Sequence, residues 1–255
     1  AFGGVSKSLI NRHGIPSVCC SDGPSGMRLD CGVKAFSLPN GTIIGCTFNT
    51  ELVKELYTCT GYEMISQRVD CLLGPGMNIH RHPLNGRNFE YFSEDPLVSG
   101  KMAAAELRGL KKQGVTGTLK HFAANNQEKK RHDVDSIVSE RALREIYLKG
   151  FEIVVKEADP WTIMSSYNIV NGQRDSENKD LLTGILRDEW GFGGLVTTDW
   201  WNHAEQYLEI QAGNDVKMGC GYPERLKKDY EAGRITRDEL VVSAKRVLEL
   251  ILKVD

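Results

Sequence analysis

Apolar residues come in two rhythms along the chain. Short runs rich in β-branched residues and cysteine occupy positions 15–20, 42–46, 69–74, 115–120, 161–167, 194–199 and 215–218, and each reads as a strand. Between them apolar residues recur every third or fourth position, which predicts helices over 50–67, 97–113, 140–158, 179–190, 203–211 and 237–253. The last is the best marked. Thr236 and Glu239 form a T-x-x-E capping signal, and Leu240, Val241, Ala244, Val247, Leu248, Ile251 and Leu252 repeat with a helical period. A second stripe runs through Leu143, Ile146, Tyr147, Phe151, Val154 and Val155. Both stripes are core rather than cofactor-binding faces.

Strands that alternate with helices pair in parallel and carry the helices outside the sheet. At 255 residues the expected fold is α/β, a (β/α)8-type barrel, with an open doubly wound sheet as the second choice. The pattern yields seven strands instead of eight. Either one strand escapes it, or a first β/α unit lies upstream of Ala1. No repeat, linker or low-complexity tract divides residues 1–255, so a single domain is expected.

Composition narrows the function classes. A formal net charge of −2 gives no electrostatic footprint for nucleic acid or an anionic membrane surface. No apolar run approaches the length of a membrane span, and the opening AFGGVSKSL lacks the layout of a signal peptide. Seven cysteines without a CxxC, several inside apolar runs, read as small hydrophobes in a reducing compartment, and a cytoplasmic location is expected.

The chemistry-bearing residues collect just after the strands, as SDGPSGMR, PGMNIHRHPLNGRNFEYFSED, KHFAANNQE, SSYNIVNG and DWWNH. In parallel α/β folds the loops at the C-terminal strand ends build the active site. Carboxylates, Lys, His and Arg that hydrogen-bond hydroxyls, beside Trp and Tyr that cover an apolar face, suit a sugar. There is no G-x-G-x-x-G, phosphate-binding loop or G-x-S-x-G, so no cofactor is expected. One competing reading is a metal-dependent barrel hydrolase. His80 and His82 would be its ligands, completed by Lys120, His121 and Asp199, although the H-x-H falls after the third strand instead of the first.

In order along the chain, SDGPSGMR, GPGMNIHRHPLNGRNFEYFSEDP, LKHFAANNQE, SERALREIYLKGFE, IMSSYNIVNG and GLVTTDWW resemble the glycoside hydrolase family 3 β-glucosidases. The resemblance implies the barrel domain of that family and a retaining mechanism on β-glucosides or related saccharides. It makes Asp199 in TTDW the nucleophile that forms a covalent glycosyl-enzyme. Asp22, Arg87, Lys120 and His121 would hold the sugar, Met164 and Tyr167 would line the nucleophile's side, and Trp200 would wall the next subsite. Trp201 is expected to be packing.

A retaining glycosidase also needs a proton donor about 5–5.5 Å from its nucleophile. In two-domain members the donor is a glutamate from a separate α/β sandwich domain, which these residues do not contain. The KHFPGHG loop that carries an acid–base pair in another branch reads KHFAANNQE here. Glu128, His132 and Asp133 are nearby only in sequence. The isolated chain is therefore expected to be weak or inactive on natural substrates. A carbohydrate-binding barrel without turnover is the alternative from a different function class.

Overall fold

The computed structural model describes residues 12–29, 31–219 and 221–254, so the AFGGVSKSL opening and Cys220 lie outside the described residues. Five parallel strands, β1 (Cys20–Asp22), β2 (Cys71–Leu73), β3 (Thr116–Phe122), β5 (Thr162–Ser165) and β8 (Leu195–Thr198), form one sheet in the order β1-β2-β3-β5-β8. A further parallel bridge joins Thr197 to Val216. A small sheet of β4 (Asp135–Ser136), β6 (Ile169–Val170) and β7 (Gln173–Arg174) lies apart from it. The helices are α1 (Gly41–Cys46), α2 (Thr50–Ser66), α3 (Pro96–Lys111), α4 (Glu140–Ala142), α5 (Lys149–Ala158), α6 (Gln206–Ala212), α7 (Pro223–Glu231) and α8 (Arg237–Val254). π-helical turns occupy Leu143–Tyr147 and Asp180–Glu189.

The β/α alternation and parallel pairing are those expected of a barrel, but the barrel is open, because β1 and β8 are edges of the sheet among the described residues. Two strand expectations change. Residues 42–46 are helical: Asn40 Oδ1 caps the Ile43 N–H, and a Cβ on Gly41 or Gly45 would sit 2.2 or 2.3 Å from the Glu90 or Phe92 carbonyl oxygen. That close approach needs two glycines one helical turn apart, which a short apolar run does not reveal. Residues 215–218 contribute only the Val216 bridge. Helix α7 and the small sheet have too little apolar periodicity to be foreseen.

Two apolar cores position the strand ends. On the outer face, Leu107 and Leu110 of α3 and Phe151 of α5 pack with Leu119 and Phe122 of β3. The Phe122 ring meets Phe151 edge-on at 5.2 Å and Trp190 at 5.9 Å. On the inner face, Leu250 and Ile251 of α8 join Val18, Cys20, Cys71, Leu73, Met164 and Leu195. The capping signal of α8 is formed: the Thr236 N–H donates to Glu239 Oε2 at 2.7 Å, and the Glu239 N–H to Thr236 Oγ1 at 3.3 Å. The six described cysteines are free thiols, and Cys20 faces Cys71 across the β1–β2 pair. No helix among the described residues is long and apolar enough to cross a membrane.

Candidate active site

A cavity of about 910 Å3 opens at the C-terminal ends of β1, β3, β5 and β8. All eight residues singled out from the sequence line it: Asp22, Arg87, Lys120, His121, Met164, Tyr167, Asp199 and Trp200. Apart from Arg87, which the long loop after β2 carries, each lies in or just after the C-terminal part of a strand whose apolar residues are buried, so the sheet brings them to one rim.

Lys120, at the end of β3, is buried and donates from Nζ to Asp22 Oδ1 at 3.0 Å. Burial alone would raise the Asp22 carboxyl, but Lys120 outweighs it, helped by the Gly23 N–H and Arg28, and holds it below the ordinary carboxylate range. Asp22 is therefore an acceptor of hydrogen bonds and a poor proton donor. His121 is fixed by Asn78, whose Oδ1 accepts from the His121 N–H and whose Nδ2 donates to the His121 carbonyl, both at 2.8 Å. Burial, with Arg87, Lys120 and Arg131 around it, pushes the imidazole well below its usual range, so it stays neutral. Arg87 pairs with buried Glu90 and still faces the cavity.

Asp199 follows β8 directly. Its Oδ1 accepts from the Trp200 N–H at 2.7 Å, whereas Oδ2 has no hydrogen bond of normal geometry and faces His121 Nε2 at 3.5 Å. The next helix starts only at Gln206, so Asp199 is not its cap. Burial raises the Asp199 carboxyl above the ordinary range against the opposing pull of Lys120, the Trp200 N–H, Arg87 and the Tyr167 hydroxyl. Burial, with the charge of Asp199, in turn pushes the Tyr167 hydroxyl up. A desolvated carboxylate with one unoccupied oxygen among cations is equipped to attack an electrophilic carbon.

The cavity also includes residues that the sequence does not assign to the sugar site: Arg28, Leu73, Arg131, His132, Trp201, His203 and Gly219. Trp201 corrects an expectation. It is 63% exposed and lines the cavity, so it is not packing. A Cβ on Gly219 would lie 2.8 Å from Trp201 Nε1, and this close approach, at φ +87°, explains the glycine. Arg131 lies 4.6 Å over the Tyr167 ring, in a loop whose lack of periodicity hid it. Only Arg28 had a usable signal, its place in the SDGPSGMR strand end.

His80 does not face the cavity. Its Nε2 lies 2.9 Å from the Asn88 carbonyl oxygen and 3.1 Å from that of Tyr91, and His82 Nδ1 accepts from the Leu84 N–H. Both histidines shape a loop, which removes the proposed pair of metal ligands. Among the acid candidates, His132 lines the cavity, Glu128 pairs with Arg131 at 3.1 Å, and Asp133 lies 3.9 Å from both Arg174 and His203.

The family description "Glycosyl hydrolase family 3 N terminal domain" matches residues 5–250. A β-glucosidase of Ruminococcus albus is 56% identical over 99% of this chain, which spans 28% of that relative's length. The solved β-glucosidase of Paenibacillus barengoltzii superposes with a TM-score of 0.92 at 47% identity, over 99% of this chain and 29% of its own. The β-glucosidase 3B of Thermotoga neapolitana in complex with glucose gives a TM-score of 0.92 at 41% identity, over 95% and 36% of the two chains.

Proposed function

The chain belongs to glycosyl hydrolase family 3, and on that premise we propose that it is the catalytic barrel of a retaining β-glucosidase with Asp199 as the nucleophile. An Asp199 carboxylate oxygen attacks the anomeric carbon as the glycosidic C–O bond breaks, and the leaving oxygen takes a proton from a general acid. Water then attacks the same carbon, gives its proton to the conjugate base of that acid, and releases the β-sugar and Asp199. Asp22, Arg87, Lys120 and His121 orient the sugar hydroxyls, Met164 and Tyr167 line the nucleophile's side, and Trp200 walls the cavity beside it. The observation that carries this reading is the Asp199 Oδ2 atom, buried, unpartnered and surrounded by Lys120, Arg87, His121 and Tyr167 at the cavity floor.

The general acid is supplied from outside these residues, by the α/β sandwich domain of the longer protein, leaving residues 1–255 as one barrel domain. Two observations support this. Asp22 and Asp199 are the carboxyls that line the cavity among the described residues, and Asp22 is held ionised by Lys120. The chain also spans less than a third of its R. albus relative. A cytoplasmic location is part of the same proposal, supported by six free thiols among the described residues.

The test is to compare leaving groups on the isolated chain. An aryl glucoside whose leaving group needs no proton is expected to react, and cellobiose to be cleaved at a small fraction of the rate typical of enzymes. Fast cleavage of cellobiose overturns the missing-acid reading. Binding of glucose with no turnover of either substrate favours a carbohydrate-binding barrel instead.

A further inference from the structure

One fully buried carboxyl lies behind the cavity without lining it. Asp175 opens a 3-10 turn, Asp175–Glu177, directly after β7. Its Oδ2 atom is within hydrogen-bond reach of three groups on two strand ends: the Ala123 N–H at 3.2 Å, Asn168 Nδ2 at 3.3 Å and the Ser166 hydroxyl. Ala123 follows β3, just beyond His121, whereas Ser166 and Asn168 follow β5 and flank Tyr167. The backbone repeats the tie. The Ser166 N–H donates to the Phe122 carbonyl at 2.9 Å, and the Asp175 N–H to the Asn168 carbonyl at 3.1 Å.

The residues on either side of Asp175 extend the same support. Arg174 donates from Nη1 to the carbonyls of Tyr167 at 2.8 Å and His132 at 2.6 Å. Ser176 Oγ accepts from Nδ2 of Asn202, in the loop after Asp199, at 3.0 Å. Three successive side chains thus join the ends of β3, β5 and β8. The Ser166 hydroxyl has one proton and two acceptors in reach, Asp175 Oδ2 and the Ala123 carbonyl at 3.0 Å. A protonated Asp175 resolves that competition, donating to Ser166 while Ser166 donates to Ala123. Burial pushes the Asp175 carboxyl up to about 8, against the Ser166 hydroxyl, the Ala123 N–H and Arg174 and with Asp135 adding to the rise.

We propose that Asp175 is a positioning residue for the nucleophile: it brackets Tyr167 through Ser166 and Asn168, ties that strand end to the one carrying His121, and so holds the Tyr167 hydroxyl against Asp199. The inference rests on the glycosidase reading and extends it to a group outside the cavity. The Tyr167 hydroxyl hydrogen-bonds Asp199 and is among the groups that keep its carboxyl from rising further. Such a contact acts only while it is held to within about 0.5 Å by buried, hydrogen-bonded supports. Ala123, Ser166, Asn168, Asp175 and Ser176 are all buried, so the support is of that kind.

The test follows labelling of Asp199 by 2-deoxy-2-fluoro-β-glucosyl fluoride across pH, using the mass of the intact protein. Asp175→Ala is expected to slow labelling about tenfold at neutral pH, the worth of one hydrogen bond to a charged group. Its acid limb is expected to move up by about one pH unit, because Asp199 loses the Tyr167 hydroxyl. Tyr167→Phe is expected to give the same shift, and the double variant no more than either alone. Asp175→Asn, which keeps the acceptor and the shape of the protonated acid, is expected to recover most of the rate. Ser166→Ala removes one contact and is expected to move the limb the same way by less, and it decides the matter should Asp175→Ala not fold. An unmoved limb in the folded variant, additive shifts in the double variant, or an asparagine variant as slow as the alanine one overturns the positioning role. No labelling of the parent overturns the glycosidase reading, and the proposal with it.

Discussion

As the proposed nucleophile, Asp199 carries two opposed demands. It must be ionised to attack, yet its carboxyl is buried, and burial wins over Lys120, Arg87 and the Trp200 N–H to raise it above the ordinary range. Turnover is therefore expected to fall on the acid side at a higher pH than a solvated aspartate would give. Lys120→Met removes the strongest opposing cation and is expected to move that limb of the kcat/KM profile higher still. A limb at the ordinary carboxylate position, unmoved in the variant, contradicts the assignment. The same raised value sets the stability. Folding favours the protonated acid, so its contribution is complete below the unfolded-state pKa and lost as the pH rises through the folded one. Asp199→Asn is accordingly expected to raise Tm at neutral pH, with the gain vanishing in acid.

At the scale of elements, the loop after β8 depends on groups far along the chain. Lys217, Glu209 and Asn202 close a buried network beneath Trp200, Trp201 and His203. Lys217→Met strands the Glu209 carboxylate and is expected to cost about 3–5 kcal/mol in chemical denaturation. The double variant Lys217→Met, Glu209→Leu is expected to recover most of that loss, because no buried charge then lacks its partner. Equal losses in the single and double variants would mean that the pair is not coupled.

This network also marks the limit of what the sequence reveals. Asp22, Lys120, His121, Tyr167 and Asp199 were legible because each ends an apolar strand, where position alone assigns a group to the rim. Arg131, His132 and His203 sit in loops without period, so only the folded chain brings them to the cavity. The helix at Gly41–Cys46 reads as a strand because TIIGC is as apolar as one, and only its glycine contacts distinguish it. The sequence reads Trp201 as packing because it cannot tell two adjacent tryptophans apart. Its backbone is left-handed, with φ 52°, which turns it toward the cavity mouth.

At the scale of the whole molecule, the sheet is a partial barrel whose open side is filled by α8 and whose strand ends converge on one cavity. The floor offers one buried carboxylate, Asp199, as the proposed nucleophile, a second carboxylate, Asp22, held by a lysine, and a neutral histidine. The half-reaction that needs no proton donor is therefore the one these residues are equipped to perform. The most direct test of the central claim is to trap that half-reaction. A 2-deoxy-2-fluoro-β-glucosyl fluoride, whose leaving group needs no acid, is incubated with the protein, and the digested peptides are mapped by mass spectrometry. One deoxyfluoroglucosyl group on the peptide containing GLVTTDWW, localised to Asp199, is the expected result. A label on another carboxylate, or no label at saturating reagent on folded protein, would contradict the assignment of Asp199 as nucleophile.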